Sequence, residues 1–226
     1  MSAPSRDELA RIYAQRFAAT SDYRRRVWQV LVPAFFQPYV PETGTALDLG
    51  CGYGEFINTV RAKRKLAMDL NPDSKSRLNP DVTFLQQDCS RTWSVNPEDL
   101  DIVFTSNFFE HLPDKQMLGL TLDQAFRCLK PGGKLIAMGP NVKFVNGRYW
   151  DFWDHHLPLT EMSLAEGLTI RGFEIERCES RFLPYTIVGG PEYPLWMLAV
   201  YLKFKILWRF KGGQFLIIAR KPEEAP

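Results

Sequence analysis

Two stretches of this chain carry residues whose types and spacing can do chemistry. In "YWDFWDHHLPLTE", Tyr149 to Glu161, two of the chain's three histidines stand side by side among aromatics and aspartates. Imidazole is the side chain best matched to proton transfer near neutral pH. His155 or His156 beside Asp154 has the makeup of a base oriented by a carboxylate. The third histidine, His111, lies in "FFEHLPD" beside Glu110. Glu110, His111, Asp154 and His155 are also donor types for a divalent cation. Adjacent histidines rarely face the same way, however, and no i,i+4 ligand pair is present, so no metal is expected. The second stretch, "LDLGCGYGEF", sets Gly50, Gly52 and Gly54 at alternate positions after Asp48. Glycines in that pattern let a backbone approach a ligand without Cβ interference. The spacing is Gly-x-Gly-x-Gly rather than the Gly-x-Gly-x-x-Gly dinucleotide fingerprint, which disfavours a dehydrogenase.

The elements that must position these residues alternate. "TALDLG", "KLAMD", "VTFLQQD", "LDIVFTSN" and "KLIAMG" read as five buried strands, the third ending at Asp88 and the "KPGG" before the fifth forming a turn. Helical spacing separates them, near Glu55 to Ala62 and through Leu118, Leu122, Ala125, Phe126 and Leu129. A helix near Glu161 to Arg171, capped by Thr160, leads into "FEIERC", and "QFLIIAR" is the last strand. This alternation predicts an α/β fold with a mostly parallel sheet and helices on both faces. Ligands of such sheets bind beyond the carboxyl ends of the strands. Ser5 with Glu8 forms a capping box ahead of a first helix, and a second runs from about Asp22 toward Phe36.

Composition fits one domain. The chain has 226 residues, is 45% hydrophobic and 24% charged, and carries a net charge of +2. A nearly neutral balance argues against a nucleic-acid partner, and the basic run Arg24–Arg26 reads as a solvated face. Four scattered cysteines without Cys-x-x-Cys spacing, and an N-terminus without an apolar leader, make a cytoplasmic protein with free thiols the expectation. The expected division is an N-terminal helical cap (1–43), a core (44–180), an apolar helical insertion (181–213) and a last strand and tail (214–226).

In "LDLGCGYG", "AMDLNP", "FLQQDCS", "LDIVFTSNFFEHL" and "LKPGGKLIAMGPN", taken in this order, the chain resembles the class I S-adenosylmethionine-dependent methyltransferases. The resemblance implies a Rossmann-like, seven-stranded sheet whose last strand is antiparallel, and S-adenosyl-L-methionine as cofactor. It implies that Gly50, Gly52 and Gly54 line the methionine and ribose part. Asp69 would hold the ribose hydroxyls, with Leu70 against the adenine and Asp88 and Cys89 at its edge. Ser106 and Asn107 would lie under the methionine portion. Asp48 would brace the glycine loop, and Arg16, beside Tyr13 on the first helix, would pair with the cofactor carboxylate.

The acceptor is less legible. An activated sulfonium donor asks mainly for in-line positioning, and a hydroxyl acceptor benefits from a base. His111, His155 and His156 follow strands four and five, at the same sheet edge as the glycine loop. Tyr149, Trp150 and Trp153 offer flat apolar walls for a substrate. The wider sequence resembles a bacterial small-molecule and glycan subgroup. This favours O-methylation of a sugar, possibly nucleotide- or lipid-linked, or of another small or secondary metabolite. N- or C-methylation, or a non-catalytic scaffold in glycan assembly, are the alternatives. Residues 194–210, "PLWMLAVYLKFKILWRF", read first as a helix packed over the pocket or in a homodimer interface, and second as a peripheral membrane contact.

Overall fold

The computed structural model describes residues 21–185 and 192–223. The expected first helix, with Ser5, Glu8, Tyr13 and Arg16, lies outside the described residues. A seven-stranded sheet in the order β3-β2-β1-β4-β5-β7-β6 organises the chain. The strands are β1 (Thr45–Leu49), β2 (Arg64–Asp69), β3 (Val82–Gln86), β4 (Leu100–Ser106), β5 (Leu129–Pro140), β6 (Glu174–Glu179) and β7 (Gln214–Arg220). β1 through β5 pair in parallel, and β7 runs antiparallel to both β5 and β6, as the resemblance implies. The chain order reverses between β1 and β4, which opens a crevice at their carboxyl ends.

The strands bury both faces, so their side chains feed two cores in alternation. Leu47 and Leu49 join one core with Leu118, Leu122, Leu164 and Leu168. Those residues come from α3 (Lys115–Cys128) and α5 (Glu161–Thr169). Ala46 joins the other core, with Phe36, Phe56, Phe104, Leu202 and Trp208. Phe56, on α2 (Glu55–Thr59), stacks on Phe104 with centroids 3.7 Å apart. The same face carries α1 (Ser21–Leu31), α6 (Leu195–Lys203) and α7 (Lys205–Lys211).

Several boundaries differ from the sequence reading, each for a local reason. "KPGG" is not a free turn but part of the twelve-residue β5, absorbed where the pairing shifts register between Leu100 and Ile102. Gly132 makes this possible with φ 76°. β3 stops at Gln86 because Asp88 turns back to accept from the Ser90 amide at 2.9 Å. The second predicted helix ends as an α-helix at Leu31, widens through a π turn (Val32–Phe36) and then tightens into a 3₁₀ turn (Gln37–Tyr39), each with a proline in its first turn. The apolar segment is two helices rather than one, broken at Phe204 (φ −111°, ψ 91°). No described helix is long and apolar enough to cross a membrane.

Candidate active site

The glycine loop follows β1. Gly50, Gly52 and Gly54 all take left-handed φ, at 68°, 53° and 71°. A Cβ on Gly50 would sit 2.2 Å from the Phe108 ring, so the residue type is required twice over, by φ and by space. Asp69 ties this loop to the end of β2. Its carboxylate accepts from the Gly52 amide and the Asn71 amide, each at 2.9 Å. Burial raises the Asp69 carboxyl, against those two amide bonds and the nearby charge of His111. Both oxygens keep a lone pair, and a ribose diol is the ligand group that such an acceptor, on a half-buried ledge, fits. Asp48 is buried behind the loop, and burial together with the charge of Glu55 pushes its carboxyl well up. Glu55 in turn pairs with Arg24 of α1 at 2.9 Å. Arg24 is therefore a loop-side ion-pair residue rather than part of a solvated run. The 31 positions that separate the two partners hide that pair from any local pattern.

The residues expected at the adenine side follow β2 and β3. Leu70 is exposed beyond β2. Asp88 accepts from the Ser90 hydroxyl at 2.7 Å. Cys89 is buried, and its sulfur meets the Thr121 hydroxyl at 3.3 Å. Burial pushes the Cys89 thiol up to about 11 and raises that of Cys51 further, so neither is a thiolate at neutral pH. Cys128 is also buried, whereas Cys178 is exposed.

Ser106 and Asn107 close β4. Asn107 sits at φ 49°, a region asparagine tolerates, and its amide bonds the Met138 carbonyl at 2.9 Å. This turn directs the chain into a 3₁₀ segment, Phe109–His111, where Glu110 is buried and His111 half-buried. The loop after β5 begins with α4 (Val142–Val145), capped by Asn141, and a 3₁₀ turn, Asn146–Asp151. Its two ends are pinned together where the Val142 amide meets the Leu159 carbonyl at 3.1 Å. Thr160 then forms a capping box with Ser163 at the start of α5, as its type and position predict.

The two loops are sewn to each other. The Glu110 carbonyl accepts both the His156 amide (2.8 Å) and the Leu157 amide (3.0 Å). His111 Nδ1 lies 3.0 Å from the Asp154 carbonyl and 3.2 Å from its carboxylate. Burial opposes charge on His111, but the Asp154 bond and the Glu110 charge outweigh it, and its pKa is raised. The two histidines of the pair part company: His155 is buried and His156 exposed. The His155 ring stacks on Phe152 with centroids 4.9 Å apart, meets His111 edge-on at 5.0 Å and lies 4.8 Å from Tyr149.

Tyr149 is itself buried, and its hydroxyl has no hydrogen-bond partner among the described residues. Trp150 and Trp153 are exposed, Trp153 by 84%. Glu110, His111 and His155 each bring one ligand-type atom to a common point, all within 4.8 Å of one another. Asp154, the fourth donor weighed on sequence, stands behind His111.

The family described as "Methyltransferase domain" matches residues 20–177. Among curated proteins, none matches the chain. Solved structures share its fold. A SAM-dependent methyltransferase from Archaeoglobus fulgidus superposes with TM-score 0.66 at 20% identity, over 90% of this chain and 98% of that one. A Haloferax volcanii methyltransferase, solved with the Trm112 methyltransferase activator, gives 0.66 at 20% identity over 91% and 93%. The N-methyltransferase NodS of Bradyrhizobium japonicum, solved with S-adenosyl-L-homocysteine, gives 0.60 at 17% identity over 88% and 87%. Family match, strand order and glycine loop agree: the chain belongs to the class I S-adenosylmethionine-dependent methyltransferases, and S-adenosylmethionine is its cofactor.

Proposed function

We propose that this enzyme methylates a hydroxyl oxygen of a sugar or similar small acceptor, with His155 as the base. The observation that carries the reading is the arrangement of buried His155 with half-buried His111 and Asp154, sewn between the loops after β4 and β5 on the Asp69 side of the sheet. Bound S-adenosylmethionine supplies a methyl group on a sulfonium, an activated donor that needs no further chemistry from the protein. The chain's work is then to hold the acceptor oxygen in line and to take its proton. His111 suits that proton transfer less well, because Asp154 holds its Nδ1 and its raised pKa favours the charged form. We assign it to orienting His155 and balancing Glu110. The unpartnered Tyr149 hydroxyl is the donor we assign to the acceptor, and Trp150 and Trp153 give a sugar or aromatic ring an apolar rim. The bond from methyl to sulfur breaks as that from methyl to oxygen forms, and the hydroxyl proton passes to His155. This reading fits the small-molecule and glycan subgroup that the sequence resembles.

His155→Ala should lower turnover by about 10²–10⁴-fold, the usual share of a general base. Calorimetry should meanwhile find cofactor affinity unchanged. Radiolabelled methyl transfer over nucleotide sugars, glycans and phenolics reads the turnover, and mass spectrometry locates the methyl group. A product methylated on nitrogen or carbon, or full activity in the variant, overturns the base.

A second reading draws on the grouping of Glu110, His111 and His155 within 4.8 Å. Three protein donors with coordination positions left open describe a catalytic cation site. A divalent cation there would lower the hydroxyl's pKa instead of a base. Activity that survives exhaustive chelation keeps the base. Activity lost to the chelator and restored by a divalent cation moves the role to the cation.

A further inference from the structure

We infer that α6 and α7 form a docking face for an anionic phospholipid membrane. These helices are anchored from inside by Leu202 and Trp208, which are buried in the second core. Trp208 Nε1 donates to the Tyr201 carbonyl at 2.8 Å, which locks the two helices to each other. Their outer face is apolar as well. Trp196 is 67% exposed, Phe204 56%, Ile206 60% and Phe210 72%, with Met197 and Val200 also exposed. A helix apolar on all sides belongs inside a protein or against a second apolar phase, and contiguous exposed patches of this kind mark interaction surfaces. The helices have nine and seven residues, so they can lie in an interface but not span it.

Charge selects the occupant. Residues 193–222 contain no aspartate or glutamate, while Lys203, Lys205, Arg209 and Lys211 are interleaved with the apolar residues. Among them only Lys205 has an ion pair among the described residues, to Glu179 at 2.7 Å. A second copy related by a two-fold axis would set this basic face against an identical one with no acidic residue from 193–222 to pair it, which is unfavourable. Anionic headgroups would neutralise them, at about 1 kcal/mol per basic residue near such a surface. A groove at the edge of this face is lined by Phe144, Arg181, Arg209 and Phe210, with Glu179 at one side. The Arg181 guanidinium lies 4.0 Å over the Phe144 ring and donates to the Arg209 carbonyl. Arg181 and Arg209 give this groove donors of the kind that bind a phosphodiester. Because Phe144 belongs to α4, the groove also borders the start of the acceptor loop.

The test is co-sedimentation of the full chain with vesicles of phosphatidylcholine alone or mixed with phosphatidylglycerol. Wild type should pellet with the mixed vesicles, release in high salt and stay in solution with the neutral ones. Phe204→Ser with Phe210→Ser should weaken binding by at least about tenfold, and Lys203→Glu with Arg209→Glu likewise. Both pairs are exposed, and unchanged S-adenosylmethionine affinity confirms that each variant is folded. Failure of wild type to pellet with the mixed vesicles overturns the proposal, as does a serine variant that pellets like wild type. A dimer in light scattering that the serine pair dissociates, without vesicle binding, gives the face to a second copy instead.

Discussion

Gly50 shows how little freedom single positions have in this site. Gly50→Ala would place a methyl group 2.2 Å from the Phe108 ring at a φ of 68°. The strain alone costs about 1–2 kcal/mol, so cofactor affinity by calorimetry should fall by at least about tenfold. Gly167→Ala is the matched control, since a Cβ there meets nothing within 4 Å. It should leave cofactor binding intact and stabilise α5 by up to about 1 kcal/mol. Asp154→Asn tests the support of His111, whose ring it holds at 3.2 Å. Turnover should fall by about 10–100-fold, the usual effect of removing a residue that orients a functional imidazole, with cofactor affinity unchanged. The sequence told part of this residue-scale story. The alternation of Gly50, Gly52 and Gly54 and the place of Asp69 were readable because each follows a strand end in a fixed pattern. That His155 and not His156 turns inward was not readable. Neighbouring residues in a loop have no period to assign their sides, and the deciding bonds run to Glu110, more than forty positions earlier.

Elements were legible where their signals are local. Thr160 was readable as a cap from residue type alone, and it forms the capping box with Ser163. Thr160→Ala should cost about 1 kcal/mol, measured as a lower urea midpoint at constant m-value. The loss should carry over to the acceptor loop, because α5 holds the far end of that loop through Leu159 and Thr160. Where an element depends on distant pairing, the signal failed. "KPGG" has every mark of a turn, yet it sits inside β5 as residues that the β4 register skips between Leu129 and Lys134, held by backbone bonds of Gly132 and Gly133 to Lys221 just past β7. The break at Phe204 has no glycine or proline to announce it. Trp208 and Leu202 are both buried, and an uninterrupted helix would set positions six apart about 120° round from each other. Interruption lets both point inward, and it leaves Phe204 and Phe210 outside.

At the scale of the molecule, a buried polar knot ties the ends of β5 and β6 to α5. Asn141, at the end of β5, donates to Glu161 of α5 at 2.6 Å and to the Ser180 carbonyl after β6 at 2.9 Å. Lys143 completes it with an ion pair to Glu161 at 2.7 Å. Burial raises the Glu161 carboxyl, but the Lys143 and Asn141 bonds outweigh this, and its pKa is lowered. A depressed carboxylate contributes stability at pH values above its unfolded pKa of about 4.3 and loses it as pH falls through the folded value. Glu161→Gln should therefore be less stable than wild type by about 1 kcal/mol at neutral pH, Lys143 being partly solvated. The difference should close below about pH 4 in urea titrations run across pH. The global topology itself was the most legible level, since alternating strands and helices leave few ways to wind a parallel sheet. The seam at Glu110 also bears on how such an enzyme can diversify. One backbone carbonyl anchors both loops, and no side chain is needed for those bonds. With Trp150 and Trp153 as the acceptor rim we propose, a lineage can exchange these exposed residues without loosening the backbone frame of the two loops.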